Sequence, residues 1–463
     1  MDIKGKKVSV IGAGKSGIAA AELLVHEGAR VFVSELGSIG DWGLLTLQEM
    51  QIPYEEGGHS ERVYDADFCV ISPGIPPYAP VVQAMQASGT PLYSEIEIAS
   101  LFCRARIVGI TGTDGKTTTS TIVHRICEED GLRNGYRSFS VGNIGVPFSS
   151  MVREMSAGDV AVVELSSYQL ERSPALRPDV AVITNITPDH LDRYNGEMQQ
   201  YAAAKFRIYA NQRTGDTLVY NADDPLLRAH FTAYNAQFPF SLSPFGMESA
   251  CEGEIDCRTV LLDGDTLIVR TSHGVERIMA ISEVLKKSFR GQHNISNVLA
   301  SVAVARALGI GNEPLLSALR SFQGVEHRQE FVKSIDGVDW VNDSKATNLN
   351  AMRQALQSLP STAVLIAGGR DKGNDYATIA ELVREKISLL IAIGESREKI
   401  LSAFDGIVPL RAALSLEEAL LVARRVAEPG QTVLFSPGCA SFDMFDNFEE
   451  RGRQFKKCVH RLQ

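Results

Sequence analysis

Short apolar runs rich in β-branched residues recur along the chain, many ending in Gly, Ser, Thr or Asn, with longer stretches of helical spacing between them. This alternation predicts an α/β protein built on parallel sheets, since a parallel pair needs a crossover long enough for a helix. The predicted strands fall into three groups. Lys7–Ile11, Arg30–Val33 and Asp67–Ile71 form the first; Ile107–Ile110, Val160–Val163 and Val180–Thr184 the second; Val338–Val341, Ala363–Ala367, Leu389–Ile393 and Thr432–Phe435 the third. Phe240–Gly274 reads differently. Its Ser, Asp and Gly and its alternating Thr266–Arg270 predict a small antiparallel hairpin decorating the middle group.

At 463 residues the chain has room for about three domains of ordinary size. That count matches the three groups and places boundaries near residues 94 and 323, giving 1–94, 95–323 and 324–463. With 44% hydrophobic and 22% charged residues the whole chain should fold. Its 46 Lys and Arg against 56 Asp and Glu leave a net charge of −10, which offers no general attraction to nucleic acid or an anionic membrane. Any anionic ligand must therefore be held locally. The apolar run Val8–Ile11 stops at Gly12, too short for a secretory signal, and no stretch of 18 apolar residues predicts a membrane span. Seven cysteines at irregular spacing, without CxxC, read as reduced thiols of a cytoplasmic protein.

Three segments carry candidate chemistry. Gly12-Ala13-Gly14-Lys15-Ser16-Gly17 follows a predicted strand and opens a helix over Ile18–Glu27, with Glu35 closing the next strand. This is the glycine pattern of a turn that approaches a pyrophosphate. By itself it fits a nicotinamide or flavin dinucleotide, a nucleotide-sugar diphosphate, or a turn with no ligand. Ser72-Pro73-Gly74-Ile75 is a second glycine turn after a strand. Thr111-Gly112-Thr113-Asp114-Gly115-Lys116-Thr117-Thr118 is the strongest signal. Backbone amides of such a loop cradle phosphates, its lysine meets the β and γ oxygens, and the next hydroxyl ligates Mg2+. The first glycine of the strict phosphate-loop pattern is replaced by Ile110, and Asp114 adds an acid where phosphates would lie. Glu164 and His190 sit beyond strand ends, where ligands of open α/β sheets gather. Lys205, in Ala202–Arg207, reads alone as a solvated lysine.

Together these residues resemble a known family. The Gly112–Thr117 loop, Glu164–Glu171, Asn185 with Asp189–Tyr194, Gly291–Asn294 with Asn297, and His327-Arg328 are similar to the Mur ligases of peptidoglycan synthesis along the whole chain. Asn342–Asn348 and Ser436–Asp443 resemble most the branch of that family that adds D-glutamate.

The resemblance implies an N-terminal Rossmann-like domain, a central ATPase-like domain with a parallel sheet and a small antiparallel addition, and a C-terminal Rossmann-like domain. It implies an ATP-dependent ligase joining D-glutamate to UDP-N-acetylmuramoyl-L-alanine through an acyl phosphate, in the cytoplasm, with two Mg2+ ions and as a monomer. On this reading Gly14, Ser16, Glu35, Gly74 and Asn143 hold the UDP-substrate, which displaces the dinucleotide reading. Gly112, Thr113, Asp114, Gly115, Lys116, Thr117, Thr118, Asn294, Asn297, Arg328, Asp343 and Lys345 hold ATP. Lys116, Glu164, His190 and Lys205 are the expected catalytic residues, and Thr117, Glu164, His190 and Lys205 the metal ligands, with Lys205 carbamoylated so that a cation becomes carboxylate-like. Thr347, Lys372, Ser441 and Phe448 are expected at the D-glutamate, with Arg370 competing with Lys372 for that role.

Overall fold

In the computed structural model, which describes residues 2–189, 191–234, 238–247, 258–285, 291–371 and 373–462, the strands assemble into three sheets. β1 (Lys7–Ile11), β2 (Arg30–Ser34), β3 (Tyr54–Glu55), β4 (Phe68–Ile71) and β5 (Leu92–Ser94) make the first, all parallel, in the order β3-β2-β1-β4-β5. The chain runs outward from β1 to β3 and then crosses back to β4. The chain thus leaves β1 toward one edge of the sheet and β4 toward the other, and the turns after these two neighbouring strands lie at the switch point at the carboxyl ends of the strands.

The second sheet contains β6 (Arg106–Thr111), β7 (Ser138–Gly142), β8 (Val160–Glu164), β9 (Val180–Ile183), β10 (Thr217–Asn221), β11 (Ser241–Gly246), β12 (Thr259–Asp263), β13 (Thr266–Thr271) and β14 (Gly274–Ala280). Their order is β14-β13-β12-β11-β10-β9-β6-β8-β7, with β6 between β9 and β8. The loops that follow these three strands therefore share one end of the sheet. The antiparallel hairpin expected within Phe240–Gly274 is present as β12 and β13, joined by the two-residue turn Gly264-Asp265 with Gly264 at φ 59°. It is not a separate decoration: β11 pairs parallel with both β10 and β12, so the hairpin and β14 continue the central sheet.

The third sheet, β15 (Glu330–Ile335), β16 (Val338–Asn342), β17 (Ala363–Gly368), β18 (Ile387–Ile393), β19 (Leu410–Ala412) and β20 (Thr432–Phe435), has the order β15-β16-β20-β17-β18-β19 and only β15 is antiparallel.

The chain forms two compact units, Met1–Ile281 with His293–Phe322, and Ser282–Gln292 with Gln323–Gln463. In the first, one apolar core runs from Ile3 and Val10 through Ile98, Phe148 and Val163 to Leu242, so the first two sheets share it. In the second, Val364 and Ile366 of β17 face one core with Trp340 and Phe455, while Leu365 and Ala367 face another with Leu390 and Tyr376. That period of two, apolar on both faces, is why β17 reads as an unbroken hydrophobic run. Among the described residues Cys69, Cys103, Cys127, Cys439 and Cys458 are free thiols. No helix of the described residues is long and apolar enough to cross a membrane.

Candidate active site

β6 ends at Thr111 and the chain turns through Gly112 and Gly115 into the helix Lys116–Asn134. Both glycines are required. Gly112 lies at φ 149° where a Cβ would strike the Thr184 hydroxyl, and Gly115 at φ 80° where it would strike the Asn297 amide oxygen. The helix begins with no side-chain cap, the arrangement that an anionic ligand completes. The Lys116 amine folds back to donate to the carbonyls of Gly112, at 3.0 Å, and Thr113, at 2.8 Å. Thr117 follows in the first turn, and buried Thr118 and Thr119 anchor the helix. Thr119 donates to Asn297 Oδ1 at 3.3 Å, and Asn297 Nδ2 to Asn294 Oδ1 at 3.4 Å, which sets the helix Gln292–Ala307 beside the loop.

Glu164 ends β8, in register with Ile110 of β6, and is 3% exposed. Asn143 is bound to it twice, its backbone N–H donating to the Glu164 carbonyl at 2.8 Å and its Nδ2 to Oε1 at 3.1 Å. Lys205, on the helix Met198–Phe206, is 2% exposed, donates to the Gly112 carbonyl at 2.8 Å and lies 4.6 Å from the centre of the Tyr201 ring. Burial, and then the charge of Lys116, push its pKa well below the ordinary lysine range. The expectation of a solvated lysine is therefore corrected: the helix turns this residue into the sheet end. Tyr201 completes the arrangement by sharing a 3.1 Å hydrogen bond with the Thr113 hydroxyl. Only its position four residues before Lys205 hinted at this role. His190 lies outside the described residues.

Among the described residues no three His, Cys, Asp or Glu cluster as a ready-made metal site. The donors present are instead the Thr117 hydroxyl and the Glu164 carboxylate, hard oxygens that suit Mg2+. An ammonium at Lys205 fits no metal; a carbamate there does.

In the first sheet, Gly12 at φ 93° packs against Ser72, and a Cβ on Gly17 would run into the Gly12 carbonyl. The turns after β1 and β4 are thus locked side by side, with Ser72 Oγ donating to the Gly12 carbonyl at 3.2 Å. Gly14 and Gly74 face open space, and Ser16 is half-buried on the helix Lys15–His26. The Glu35 carboxylate braces the turn, accepting from the N–H groups of Ala13 at 2.7 Å and Gly37 at 3.0 Å.

The second compact unit gathers the remaining residues at the carboxyl ends of β16, β17 and β20. Asp343, 4% exposed, accepts from Ser436 Oγ at 2.7 Å and from the Gln329 N–H at 3.1 Å. Burial pushes its pKa up to about 7, opposed in part by these bonds and by the charge of Arg328. The Lys345 N–H donates to the His327 carbonyl and the Thr347 N–H to the Lys345 carbonyl. Ser441 is buried, and Phe448 opens the helix Phe448–Arg461 with its carbonyl held by Ser344 Oγ at 2.8 Å. Arg370 and Ala440 exchange two backbone hydrogen bonds, and the Arg370 guanidinium is paired with Glu395 at 3.1 Å. Lys372 lies outside the described residues. Sequence reasoning missed Arg451, which is 1% exposed and donates to Ser344 Oγ, the Ser344 carbonyl and the Cys439 carbonyl. An arginine in an amphipathic helix gives no sign of such burial.

A phosphate-binding loop opening a helix, with a buried carboxylate and a buried lysine at the same end of a parallel sheet, defines a nucleotide-binding α/β protein. Family models match along the chain: MurD N-terminal domain at residues 7–81, Mur ligase middle domain at 110–305, and Mur ligase, glutamate ligase domain at 327–439. The chain belongs to the Mur ligase family. The UDP-N-acetylmuramoylalanine--D-glutamate ligase of Pelodictyon phaeoclathratiforme is 71% identical over 462 residues, 100% of this chain and 99% of that one. The protein of the same name from Chlorobium chlorochromatii is 59% identical over 463 residues, all of both chains. Among solved structures, UDP-N-acetylmuramate-alanine ligase of Thermotoga maritima aligns over 98% of this chain and 99% of that one, with TM-score 0.56 and 19% identity, a likeness of fold.

Proposed function

We propose that this chain joins D-glutamate to UDP-N-acetylmuramoyl-L-alanine at the expense of ATP, in the cytoplasmic synthesis of peptidoglycan precursors. The observation that carries this reading is the convergence of the Gly112–Thr117 loop, Glu164 and Lys205 on one sheet end, in a chain 71% identical over its length to a ligase of that name. We take residues 1–94, 95–323 and 324–463 as the parts that serve the UDP-substrate, ATP and D-glutamate, and a single chain as the working unit.

A carboxylate is a poor electrophile. ATP first transfers its γ-phosphoryl group to the terminal L-alanine carboxylate, giving an acyl phosphate and ADP. The amine of D-glutamate then adds to the acyl carbon, loses a proton, and the tetrahedral intermediate expels inorganic phosphate to leave an amide. Phosphoryl transfer needs positioning and charge neutralisation more than covalent help. Lys116 turns from the loop carbonyls to the β and γ phosphates, and Asn143, tied to Glu164, places the alanine carboxylate. Asn294, Asn297, Arg328, Asp343 and Lys345 hold the nucleotide, and Thr347, Ser441, Phe448 and Lys372 receive D-glutamate, the last chosen over Arg370 because Glu395 already pairs Arg370. Thr117, Glu164, His190 and carbamoylated Lys205 would hold two Mg2+ ions, whose charge offsets that of the transferring phosphoryl group. Gly14, Ser16, Glu35 and Gly74 cradle the UDP.

The test is phosphate release from ATP in the presence of UDP-N-acetylmuramoyl-L-alanine, with D-glutamate, L-glutamate, L-alanine and L-lysine in separate wells. Release that requires both the UDP-substrate and D-glutamate is the expected result. Release with L-lysine, or with none of the four, would overturn the assignment.

A further inference from the structure

Asn185 stands just beyond β9, in the turn beneath the phosphate loop. Its contacts with that loop are threefold. Its backbone carbonyl accepts from the Thr113 N–H at 3.0 Å, its Oδ1 accepts from the Asp114 N–H at 2.9 Å, and its Nδ2 donates to the Asp114 carbonyl at 3.1 Å. The side-chain amide thus reads both backbone groups of Asp114 at once. Thr184 Oγ1 adds a fourth tie, donating to the same Asp114 carbonyl at 2.5 Å. The turn is itself braced on both sides of Asn185: Asn221 Nδ2 donates to the Thr184 carbonyl at 3.0 Å, and the Asp224 carboxylate accepts from the Ile186 N–H at 2.8 Å. Asn221 and Asp224 are both buried.

We propose that Asn185 is a positioning residue for ATP: by holding the Asp114 peptide it presets the direction of the Gly115 N–H at the mouth of the helix Lys116–Asn134. The physical step is short. No peptide among the described residues is cis, and in a trans peptide the carbonyl and the following N–H point in opposite directions. With the Asp114 carbonyl held down toward Thr184 and Asn185, the Gly115 N–H turns to the opposite side, toward the helix N-terminus where phosphates bind. A loop fixed before the ligand arrives loses less conformational freedom on binding. The residue type follows from the task, because a planar amide supplies one acceptor and one donor, whereas a carboxylate supplies no donor. In this arrangement Asp114 takes part through its backbone N–H and carbonyl.

This inference rests on the ATP reading above, and the experiment separates the two. Binding of a methylanthraniloyl derivative of ATP with Mg2+ is measured by fluorescence for the wild-type chain, Asn185→Asp and Asn185→Ala, alongside KM for ATP and for UDP-N-acetylmuramoyl-L-alanine. The wild-type chain should bind the probe. Asn185→Asp, which keeps the shape and the acceptor but loses the donor, should weaken nucleotide binding about tenfold, and Asn185→Ala, which loses both, by up to about a hundredfold. KM for the UDP-substrate should stay within about twofold in each, a split that a merely structural residue would not produce. Variants that bind the probe as tightly as the wild type, or that lose both substrates in parallel, would overturn the assignment. So would an Asn185→Asp chain without a cooperative thermal transition, since the residue would then serve the fold. A wild-type chain that does not bind the probe would instead overturn the ATP reading itself, and this inference with it.

Discussion

The side-chain amines of Lys116 and Lys205 donate to one acceptor, the carbonyl oxygen of Gly112, at 3.0 and 2.8 Å. Burial of Lys205, and then the charge of Lys116 beside it, push the Lys205 pKa well below the ordinary lysine range. The lysine that opens the helix after the loop and a buried lysine of lowered basicity are thereby held at the same peptide.

Lys116→Ala should abolish turnover and leave the chain folded, because the half-buried amine is held by carbonyls of its own loop rather than by the core. A fall in kcat of at least about a hundredfold is expected, with Tm shifted by a few degrees at most. Phosphate release and a thermal melt measure both. Turnover near the wild-type rate would remove Lys116 from the mechanism.

Lys205→Ala should be inactive for a different reason. It removes a group that, as a carbamate, supplies oxygen donors, and the vacated space beside Tyr201 admits small carboxylates. Acetate or formate should restore part of the activity in this variant and none in Lys116→Ala. Intact-mass measurement in bicarbonate buffer should also show the wild-type chain, and not the variant, gaining the mass of CO2. No gain in mass and no rescue at any acetate concentration would discard the carbamate.

Arg451→Met should weaken the second compact unit by about 2–4 kcal/mol, since it strips donors from two buried carbonyls, those of Ser344 and Cys439. Chemical denaturation measures the loss. Because those carbonyls flank Thr347 and Ser441, KM for D-glutamate should rise more than KM for ATP, with Arg451→Lys falling between. An unchanged KM for D-glutamate in a folded variant would confine Arg451 to stability.

Glu95 gives a pH prediction. It is fully buried, accepts from the Ser149 N–H at 2.5 Å, and its Oε2 has no hydrogen-bond partner. Burial raises its pKa from 4.5 to about 7. Between those values the folded chain binds more protons than the unfolded one, so this contribution is whole below about pH 4.5 and is lost as pH rises through 7. The loss amounts to on the order of 3 kcal/mol. Glu95→Gln should flatten the fall in stability across that window, as read from denaturation midpoints. A wild-type chain whose stability rises from pH 5 to 8 as steeply as that of Glu95→Gln would contradict it.

Much of this protein is legible in its amino-acid order, because the signals involved are local. Strands Lys7–Ile11 and Thr432–Phe435 match their apolar runs end to end, and the turn Gly112–Gly115 lies between a strand and a helix as its glycines require. Glu164 is readable from its place at a strand end. Lys205 is not, since nothing within Ala202–Arg207 tells a buried lysine from a solvated one.

The amino-acid sequence by itself determined the alternation of strands and helices, the positions of the glycine turns and the residue types offered for chemistry, since each depends on neighbours a few residues away. Only the tertiary structure decided which groups meet. Lys205 reaches a carbonyl 93 residues earlier, Asn185 pairs with a peptide 71 residues earlier, and Arg451 binds Ser344 across 107 residues. Those meetings follow from the order of strands in the sheets, which puts β6 between β8 and β9 in one and β16 beside β20 in another, and so brings the segments that follow these parallel strands to one end of each sheet. Strand order is set by burial summed over whole sheets, and no single segment records it.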